Sequence, residues 1–230
     1  MYGMIKFKDW EIRKETRYSK LNYHYKGQKM KKEQINKMLD RSQLESVKKI
    51  FESDKIEAGQ FELSDIIEIH IPLNIKEISA DAFKQCEELK KIIFPDGLTN
   101  IGYKAFYHCI NLKEISIPDT VLDIDCEAFN DCESLINIKL SNSITTIKES
   151  TFFNCANLKN IIIPNNVKSI EKFAFADCEK LEIIEVPTGL VNIGKAAFYG
   201  CANLKEIILP KSIKNIEKCA FNKNVKIIRI

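Results

Sequence analysis

The stretch Leu112–Cys132 reads LKEISIPDTVLDIDCEAFNDC, and its pattern recurs along the chain at an interval of 23 residues. The phenylalanines that keep this interval are Phe83, Phe106, Phe129, Phe152, Phe175, Phe198 and Phe221. The cysteines that keep it are Cys86, Cys109, Cys132, Cys155, Cys178 and Cys201. A repeat period of roughly 20 to 50 residues is typical of a solenoid, in which each coil buries its apolar side only against its neighbours. The sequence therefore predicts a stack of similar coils over most of the chain.

The first part of the repeat has the pattern of a β-strand. Ile115 and Ile117 alternate with polar residues, so both point to the same side of an extended chain. Pro118 follows directly and ends the strand, because proline has no N–H to give to a sheet. We expect one such strand in each coil, stacked in parallel about 4.8 Å from the next.

The second part of the repeat predicts the remaining sides of the coil. Val121 and Ile124 are expected to point inward from a short second strand. The spacing of Ala128, Phe129 and Cys132 suits a single helical or 3₁₀ turn with its apolar side inward. We also expect the repeated phenylalanine rings to stack on one another along the inside of the coils.

Residues 1–60 do not share the repeat. Their alternating segments, Ile5–Lys8, Trp10–Arg13 and Leu21–Tyr25, predict strands, and the apolar spacing between residues 31 and 53 predicts one or two amphipathic helices. We interpret residues 1–60 as a basic strand-plus-helix cap on the first coil, or as a small separate domain. Residues 61–230 are interpreted as a solenoid of about seven repeats, whose last unit has Ile227 in the place of Leu112.

The repeat, Leu-x-x-Ile-x-Ile-Pro-x-x-Val-x-x-Ile-x-x-x-Ala-Phe-x-x-Cys, resembles the BspA-type leucine-rich repeat. Leu112–Cys132 matches this pattern at every specified position, and the resemblance covers residues 66–230. It implies a right-handed leucine-rich repeat coil of the α/β solenoid class, with one parallel strand, a short second strand and a short helical turn in each repeat. Members of this family are often surface proteins of bacteria and parasitic protists that act in adhesion, with little or no enzymatic activity.

The sequence gives little support to catalysis or metal binding. Stacked cysteines in register have parallel side chains, which do not converge on a disulfide or on a tetrahedral zinc site, so we expect reduced thiols in the core. Cys126 and Cys219 lie off the repeated position and are expected nearer the surface. His108 adjoins Cys109, but neighbouring residues on a helical turn point in different directions and do not form a catalytic pair. We predict no enzymatic activity, no cofactor and no metal.

Ligand binding is expected on the outside of the main sheet. The outward position between the two inward residues of each strand is held by His70, Ile93, Ser116, Lys139, Ile162, Glu185 and Ile208. Ile162, Ile183 and Ile208 are expected to form an apolar patch of the kind that marks interaction sites, although β-branched residues at these positions also favour strand formation. The predicted protein-binding face consists of His70, Ile93, Lys139, Ile162, Ile183, Glu185 and Ile208, with Lys139 and Glu185 as its polar contacts.

Charge and hydropathy restrict the class of partner. Residues 1–60 carry 15 Lys and Arg against 9 Asp and Glu, whereas residues 61–230 carry 20 against 23. The basic residues are scattered among acids and lack the interleaved aromatics of a nucleic-acid site, so we predict no nucleic-acid partner. No apolar run is long enough to predict a membrane span. The predicted partner is a protein, and the last coil, which has no visible capping sequence, is also predicted to support a homodimer.

Two uses of this fold remain open. The first is an adhesin-like or surface-associated ligand-binding protein, and the second is an intracellular scaffold or regulator whose basic N-terminal segment recruits a partner. An enzyme within residues 1–60 is a third interpretation, which the short length and the lack of a recognisable nucleophile or metal set oppose. The resemblance suggests a cell-surface or secreted location. Met1–Lys6 is instead followed by charged residues, which predicts the cytoplasm if the chain is complete.

Overall fold

The computed structural model describes residues 4–7, 10–13, 22–25, 28–29, 45–46, 49–50 and 52–230. Residues 45–46, 49–50 and 52 are helical, and residues 53–230 contain no helix. The strands of the described part are β1 (Met4–Phe7), β2 (Trp10–Arg13), β3 (Asn22–Tyr25), β4 (Gln28–Lys29), β5 (Lys55–Ile56), β6 (Ile66–His70), β7 (Glu77–Ile78), β8 (Lys91–Ile93), β9 (Asn100–Ile101), β10 (Glu114–Ser116), β11 (Asp123–Ile124), β12 (Asn137–Lys139), β13 (Thr146–Ile147), β14 (Asn160–Ile162), β15 (Ser169–Ile170), β16 (Ile183–Glu185), β17 (Asn192–Ile193), β18 (Glu206–Leu209), β19 (Asn215–Ile216) and β20 (Lys226–Arg229).

Each coil contributes one strand to a main sheet, as the repeat predicts. These main strands are β6, β8, β10, β12, β14, β16, β18 and β20. Ile115 on β10 lies beside Ile138 on β12 in parallel register, and both the strand pairing and the 23-residue offset follow the repeat. The inward residues Ile115 and Ile117 are buried, whereas Ser116 between them is exposed. The prediction of a parallel-sheet solenoid is confirmed.

The second side of the coil carries the short strands that the sequence predicts. β5, β7, β9 and β11 form one parallel ladder, and β13, β15, β17 and β19 form another. Ile101 lies beside Ile124 in this register, and both side chains are buried. Val121 is buried just before β11, so the second side closes the core as expected.

The third side consists of tight turns, and the prediction of helical turns is wrong. Lys104 and His108 have positive φ angles of 53° and 59°, which a right-handed helix does not contain. Between them, Ala105 donates its main-chain N–H to Gly102 within the coil, whereas Phe106 donates to the carbonyl of Ala128 in the next coil. The apolar spacing could not separate the two structures, because the observed turns keep the same apolar positions inward. They differ from a helix in sending every second N–H to the neighbouring coil.

The phenylalanine rings form one continuous stack inside the solenoid, as predicted. The rings of Phe83 and Phe106 have centroids 5.2 Å apart and an interplanar angle of 5°. The same arrangement continues to the pair Phe198 and Phe221, at 5.3 Å and 2°. Phe61 extends the stack upstream by contacting Phe83 at 5.2 Å, although it lies 22 residues before it. Such pairs contribute about 0.5–1.5 kcal/mol each beyond the burial of their surface.

The repeated cysteines lie beside this stack in the core. All eight cysteines are free thiols, and the six at the repeated position are buried. Each buried thiol donates to the carbonyl of a phenylalanine in the adjacent coil; the Sγ of Cys109 lies 3.2 Å from the carbonyl oxygen of Phe83. Burial raises the pKa of the Cys86 thiol to about 11 and that of Cys201 to about 12. The core therefore holds these side chains as neutral hydrogen-bond donors.

The N-terminal strands extend the main sheet beyond its first coil. β4, β3, β2 and β1 follow one another in antiparallel order, and β1 pairs with the free edge of β6. In this pairing Ile5 lies beside Ile69, and both are buried. The helices predicted between residues 31 and 53 lie largely outside the described residues. The division of the chain at residues 60 and 61 stays a prediction.

The last coil is shorter than the repeat, and the predicted position of Ile227 is wrong. β20 pairs with β18 so that Ile227 lies beside Ile207, an offset of 20 residues. Val225 takes the leucine position instead, because its N–H donates to Asn222 as Leu204 donates to Cys201. Ile227 is therefore a strand residue, and its side chain is 43% exposed.

Candidate functional site

The residues of the predicted binding face lie on the outward side of the main strands, and all of them except His70 are exposed. We call the outward-facing residues of the main strands, from β6 to β20, the main-sheet strip. Its isoleucines have exposed side chains: Ile93 is 42%, Ile162 65%, Ile183 56% and Ile208 49% exposed. Their neighbours on the inward side are buried, so the main strands present apolar side chains to both faces. An outward apolar row of this kind is typical of an interaction surface.

The strip begins at a polar cluster next to β1. His70 lies beside Met4 of β1, which leaves the histidine half-buried. The carboxylate of Glu68 lies 3.1 Å from both His70 Nε2 and Lys91 Nζ. Burial opposes ionisation of Glu68, but the hydrogen bonds from Lys91 and His70 outweigh it and hold the pKa of this carboxyl below its ordinary value. His70 is thus held in an internal contact and is less available to a ligand than the sequence suggests.

The main sheet is interrupted at regular places. β6 pairs with β8, β10 with β12, β14 with β16 and β18 with β20, but the ladder does not continue between these pairs. Within a pair, the residue after the outward position donates its N–H to the next coil, as Ile163 does to the carbonyl of Glu185 at 2.8 Å. The equivalent N–H groups of Phe94 and Val186 make no hydrogen bond within residues 52–230. Two of the interruptions open into clefts.

The first cleft, which we call the N-terminal cleft, lies between β8 and β10. It has a volume of about 620 Å³, and its lining includes Ile93, Ser116, Asp119 and Lys139. Asp119 accepts hydrogen bonds from the main-chain N and the side-chain amide of Asn142, at 3.0 and 3.2 Å. These bonds hold the pKa of the Asp119 carboxyl below its ordinary value. The cleft therefore combines the apolar residues Ile92, Ile93, Phe94 and Pro118 with charges of both signs.

The second cleft, which we call the C-terminal cleft, lies between β16 and β18. It has a volume of about 420 Å³ and is lined by Ile183, Glu185 and Ile208 among others. The charged residues of its lining are all acidic: Glu182, Glu185 and Glu206. Its walls are therefore apolar and negatively charged, unlike those of the N-terminal cleft.

The structure divides the residues of the predicted face between the two clefts and does not gather them into one patch. Ile93 and Lys139 line the N-terminal cleft, whereas Ile183, Glu185 and Ile208 line the C-terminal cleft. Ile162 lies directly beside Glu185, and Ile183 lies beside Asn160, so Ile162 and Ile183 are diagonal neighbours. Sequence reasoning missed Asp119, Glu182 and the two clefts. The clefts lie where the main-chain hydrogen bonds between main strands are interrupted. Every residue type except proline can make these bonds, so the residue types do not predict the interruptions.

Within residues 52–230, the other reactive side chains do not assemble into a site. Cys126 is half-buried and Cys219 is exposed, as expected for thiols off the core position. His108 lies 3.8 Å from a carboxylate oxygen of Glu87 and 4.0 Å from one of Asp131. In the described part of the chain, no three His, Cys, Asp or Glu side chains are arranged to hold a metal ion. Nor does that part contain a helix with the length and apolarity of a membrane span.

The coils and their strip define a protein of the leucine-rich repeat class. The family model of the BspA type leucine rich repeat region matches residues 54–181 and 148–230 in 6 copies. This chain belongs to that family, and the predicted resemblance is confirmed. No curated protein matches the sequence.

Solved structures of similar proteins come from bacteria. A leucine-rich repeat protein from Eubacterium ventriosum ATCC 27560 is 31% identical with a TM-score of 0.69, and the alignment covers 75% of this chain and 46% of that protein. One from Bacteroides ovatus ATCC 8483 is 30% identical with a TM-score of 0.59, covering 76% and 55%. A leucine rich cell surface protein from Faecalibacterium prausnitzii A2-165 is 29% identical with a TM-score of 0.50, covering 72% and 51%. This chain spans about half the length of these relatives.

Proposed function

We propose that this chain is a non-enzymatic protein-binding module whose ligand contacts the main-sheet strip. The observation that supports this most strongly is the row of exposed isoleucines, Ile93, Ile162, Ile183 and Ile208. Burying such side chains against a partner gains free energy, whereas leaving them in water gains nothing for the isolated fold. Solenoids use extended strips of this kind to bind other proteins.

We further propose a surface-associated or adhesin-like role. The support is the family and the similarity to a protein that is described as a leucine rich cell surface protein. The competing proposal is an intracellular scaffold or regulator that uses the same strip. Brief protease treatment of intact cells distinguishes the two, because it removes a surface-exposed chain and spares an internal one.

The binding proposal is tested by capturing partners on the immobilised chain. Proteins retained by the wild-type chain are identified, purified and tested individually against a variant in which Ile162, Ile183 and Ile208 are changed together to Lys. Three buried cations at an interface are strongly unfavourable, so binding is expected to be lost. A partner that binds the variant as well as the wild type would show that the ligand contacts another surface.

A homodimer through the last coil stays a prediction. Ile227 on β20 and Ile230 beyond it are exposed, and self-association would bury them. Sedimentation velocity of the wild type and of I227K/I230K tests this directly. A monomer at all accessible concentrations would contradict the prediction.

A further inference from the structure

We propose that the C-terminal cleft binds an extended segment of the partner protein in which a Lys or Arg is flanked by aliphatic residues. This inference rests on the proposed function and names the chemistry of the partner at one part of the main-sheet strip. Three independent features of the cleft carry it: its apolar walls, its charge and an unpaired main-chain donor.

The apolar walls favour aliphatic side chains of the partner. Ile183 and Ile208 are 56% and 49% exposed, and both line the cleft. Its volume of about 420 Å³ lies within the range of specific ligand sites. Aliphatic residues of a partner would displace water from both isoleucines and gain about 25 cal/mol per Å² of apolar surface buried.

The charge favours a cation. Glu182, Glu185 and Glu206 line the cleft, and no basic residue does. Within residues 52–230 none of these three carboxylates forms an ion pair, although Lys226 lies opposite Glu206 in the ladder. Within the described residues, no direct ion pair therefore neutralises the carboxylates of the cleft. A Lys or Arg side chain at its mouth would be attracted, and an acidic segment would be repelled.

The main chain favours an extended segment. The cleft runs between two strands that have separated, and Val186 at its edge has an N–H without a hydrogen-bond partner within residues 52–230. Within a strand pair the equivalent N–H donates to the carbonyl of the next strand, as in Ile117 to Lys139 at 2.9 Å. A carbonyl of an extended peptide supplies the same kind of acceptor. Alternate side chains of such a peptide point to the same side, which brings its aliphatic residues onto the isoleucines.

The test uses three synthetic pentapeptides with blocked ends and the whole ¹⁵N-labelled chain. The sequences are Ile-Lys-Val-Arg-Ile, Ile-Glu-Val-Glu-Ile and Ser-Lys-Ser-Arg-Ser. Only the first combines cations with aliphatic residues. Titration with it is expected to shift the amide resonances of residues 183–186, 188 and 206–209, since Pro187 and Pro210 have no amide N–H. The acidic peptide and the serine peptide are expected to bind at least about tenfold more weakly, since each lacks one of the two attractions.

Charge reversal in the protein is the matched test. E185K/E206K is expected to bind the Ile-Lys-Val-Arg-Ile peptide at least about tenfold more weakly. E88K/E133K is the control, because it makes the same change of charge at exposed residues that lie outside the main strands and do not line the cleft, and its binding is expected to stay within about twofold. Weakening of binding by 0.5 M NaCl is expected for the wild type and for E88K/E133K, but not for E185K/E206K.

The outcomes separate this inference from the proposed function. Equal binding of the basic and acidic peptides, shifts outside the cleft, or no peptide binding at all would overturn the inference. If the purified partner still loses binding to I162K/I183K/I208K in that case, the main-sheet strip remains the ligand surface and only the chemistry assigned to the cleft is wrong. If the peptide binds in the cleft but no strip variant affects binding of the partner, the proposed function fails. In that case the chemistry of the cleft is correct, but its assignment to the partner is wrong.

Discussion

The thiol of Cys132 donates a hydrogen bond to the main-chain carbonyl oxygen of Phe106, which lies 3.3 Å away in the preceding coil. The same relationship joins Cys155 to Phe129 at 3.4 Å and Cys178 to Phe152 at 3.2 Å. The protonated thiol is the donor, so ionisation would break the bond and leave a charge in the core. The cysteine ladder therefore links the stability of the solenoid to the protonation of its thiols.

This linkage predicts that stability falls at alkaline pH. Burial raises the pKa of the Cys201 thiol to about 12, above the ordinary value of about 8.5 that applies in the unfolded chain. A group whose pKa is raised by folding stabilises the fold fully below the unfolded value, and this contribution is lost as pH rises from there towards the folded value. The unfolding free energy is expected to fall above pH ~8.5, with each buried thiol contributing up to about 1.4 kcal/mol per pH unit.

Denaturant titrations at several pH values measure this dependence. Cys201→Ala is expected to make the alkaline decline shallower by the contribution of one thiol. Cys219→Ala is the control, because Cys219 is exposed, and it should leave the slope unchanged. Identical slopes for wild type and Cys201→Ala would show that the buried thiol is not the titrating group.

Thiol labelling reports on the closure of the coils. A water-soluble maleimide is expected to react first with the exposed Cys219 and more slowly with the half-buried Cys126, whose pKa is raised by burial. The six core thiols are expected to react only after unfolding. Rapid reaction of more than two thiols in the native protein would mean that the coils are open.

The phenylalanine stack predicts that alanine substitutions destabilise the protein more in the middle of the stack than at its C-terminal end. Phe129 contacts a ring on each side, at 5.2 and 5.6 Å, and is fully buried. Phe129→Ala is expected to lower the free energy of unfolding by about 3–5 kcal/mol. Phe221→Ala is expected to cost less, because Phe221 is only partly buried and contacts Phe198 alone in the stack. Equal costs, measured by urea unfolding, would contradict a continuous core with a less buried last coil.

Two glycines test how closely neighbouring coils pack, because a Cβ would meet main-chain atoms at one and a flexible side chain at the other. A Cβ added to Gly194 would lie 2.5 Å from the main-chain nitrogen of Lys172, so Gly194→Ala is expected to destabilise by about 1–3 kcal/mol. A Cβ added to Gly189 would meet the flexible end of the Lys168 side chain, which can move. Gly189→Ala is therefore expected to be neutral within about 1 kcal/mol. Thermal unfolding midpoints of both variants test this prediction. A larger loss of stability for Gly189→Ala than for Gly194→Ala would be inconsistent with this packing.

The period alone was enough to predict which side chains are buried. Ile115, Ile124 and Phe129 face inward in the structure as their spacing requires, because the period places the same residue at the same point of every coil. The turn side was mispredicted because helical and alternating turns place Ala105 and Phe106 in the same way. They differ in the sign of φ at Lys104 and His108. The repeat position of His108 carried an overlooked signal, since it is held by Asp131, Asn154, Asp177 and Gly200 in later coils, and these residue types favour positive φ.

The register of the last coil and the positions of the clefts could not be predicted from the sequence, for other reasons. Val225 and Ile227 are both aliphatic, so the residue types fit either register of the last coil, and only the pairing with Ile207 decides between them. The exposed positions of Ile162, Ile183 and Ile208 were correctly predicted from the strand alternation. The structure places Ile162 within a strand pair and Ile183 and Ile208 at the C-terminal cleft. This arrangement depends on main-chain hydrogen bonds between coils, which the side-chain types do not predict.

The most direct test of the binding surface is the equilibrium affinity of one purified partner for three proteins. These are the wild type, I162K/I183K/I208K, and the control L73K/L122K/Y199K, whose three exposed apolar residues lie outside the main strands. Binding through the main-sheet strip predicts a loss of at least about a hundredfold for the first variant, because charges replace its apolar contacts, and little change for the control. Equal affinity of the wild type and I162K/I183K/I208K, or loss in the control alone, would contradict it.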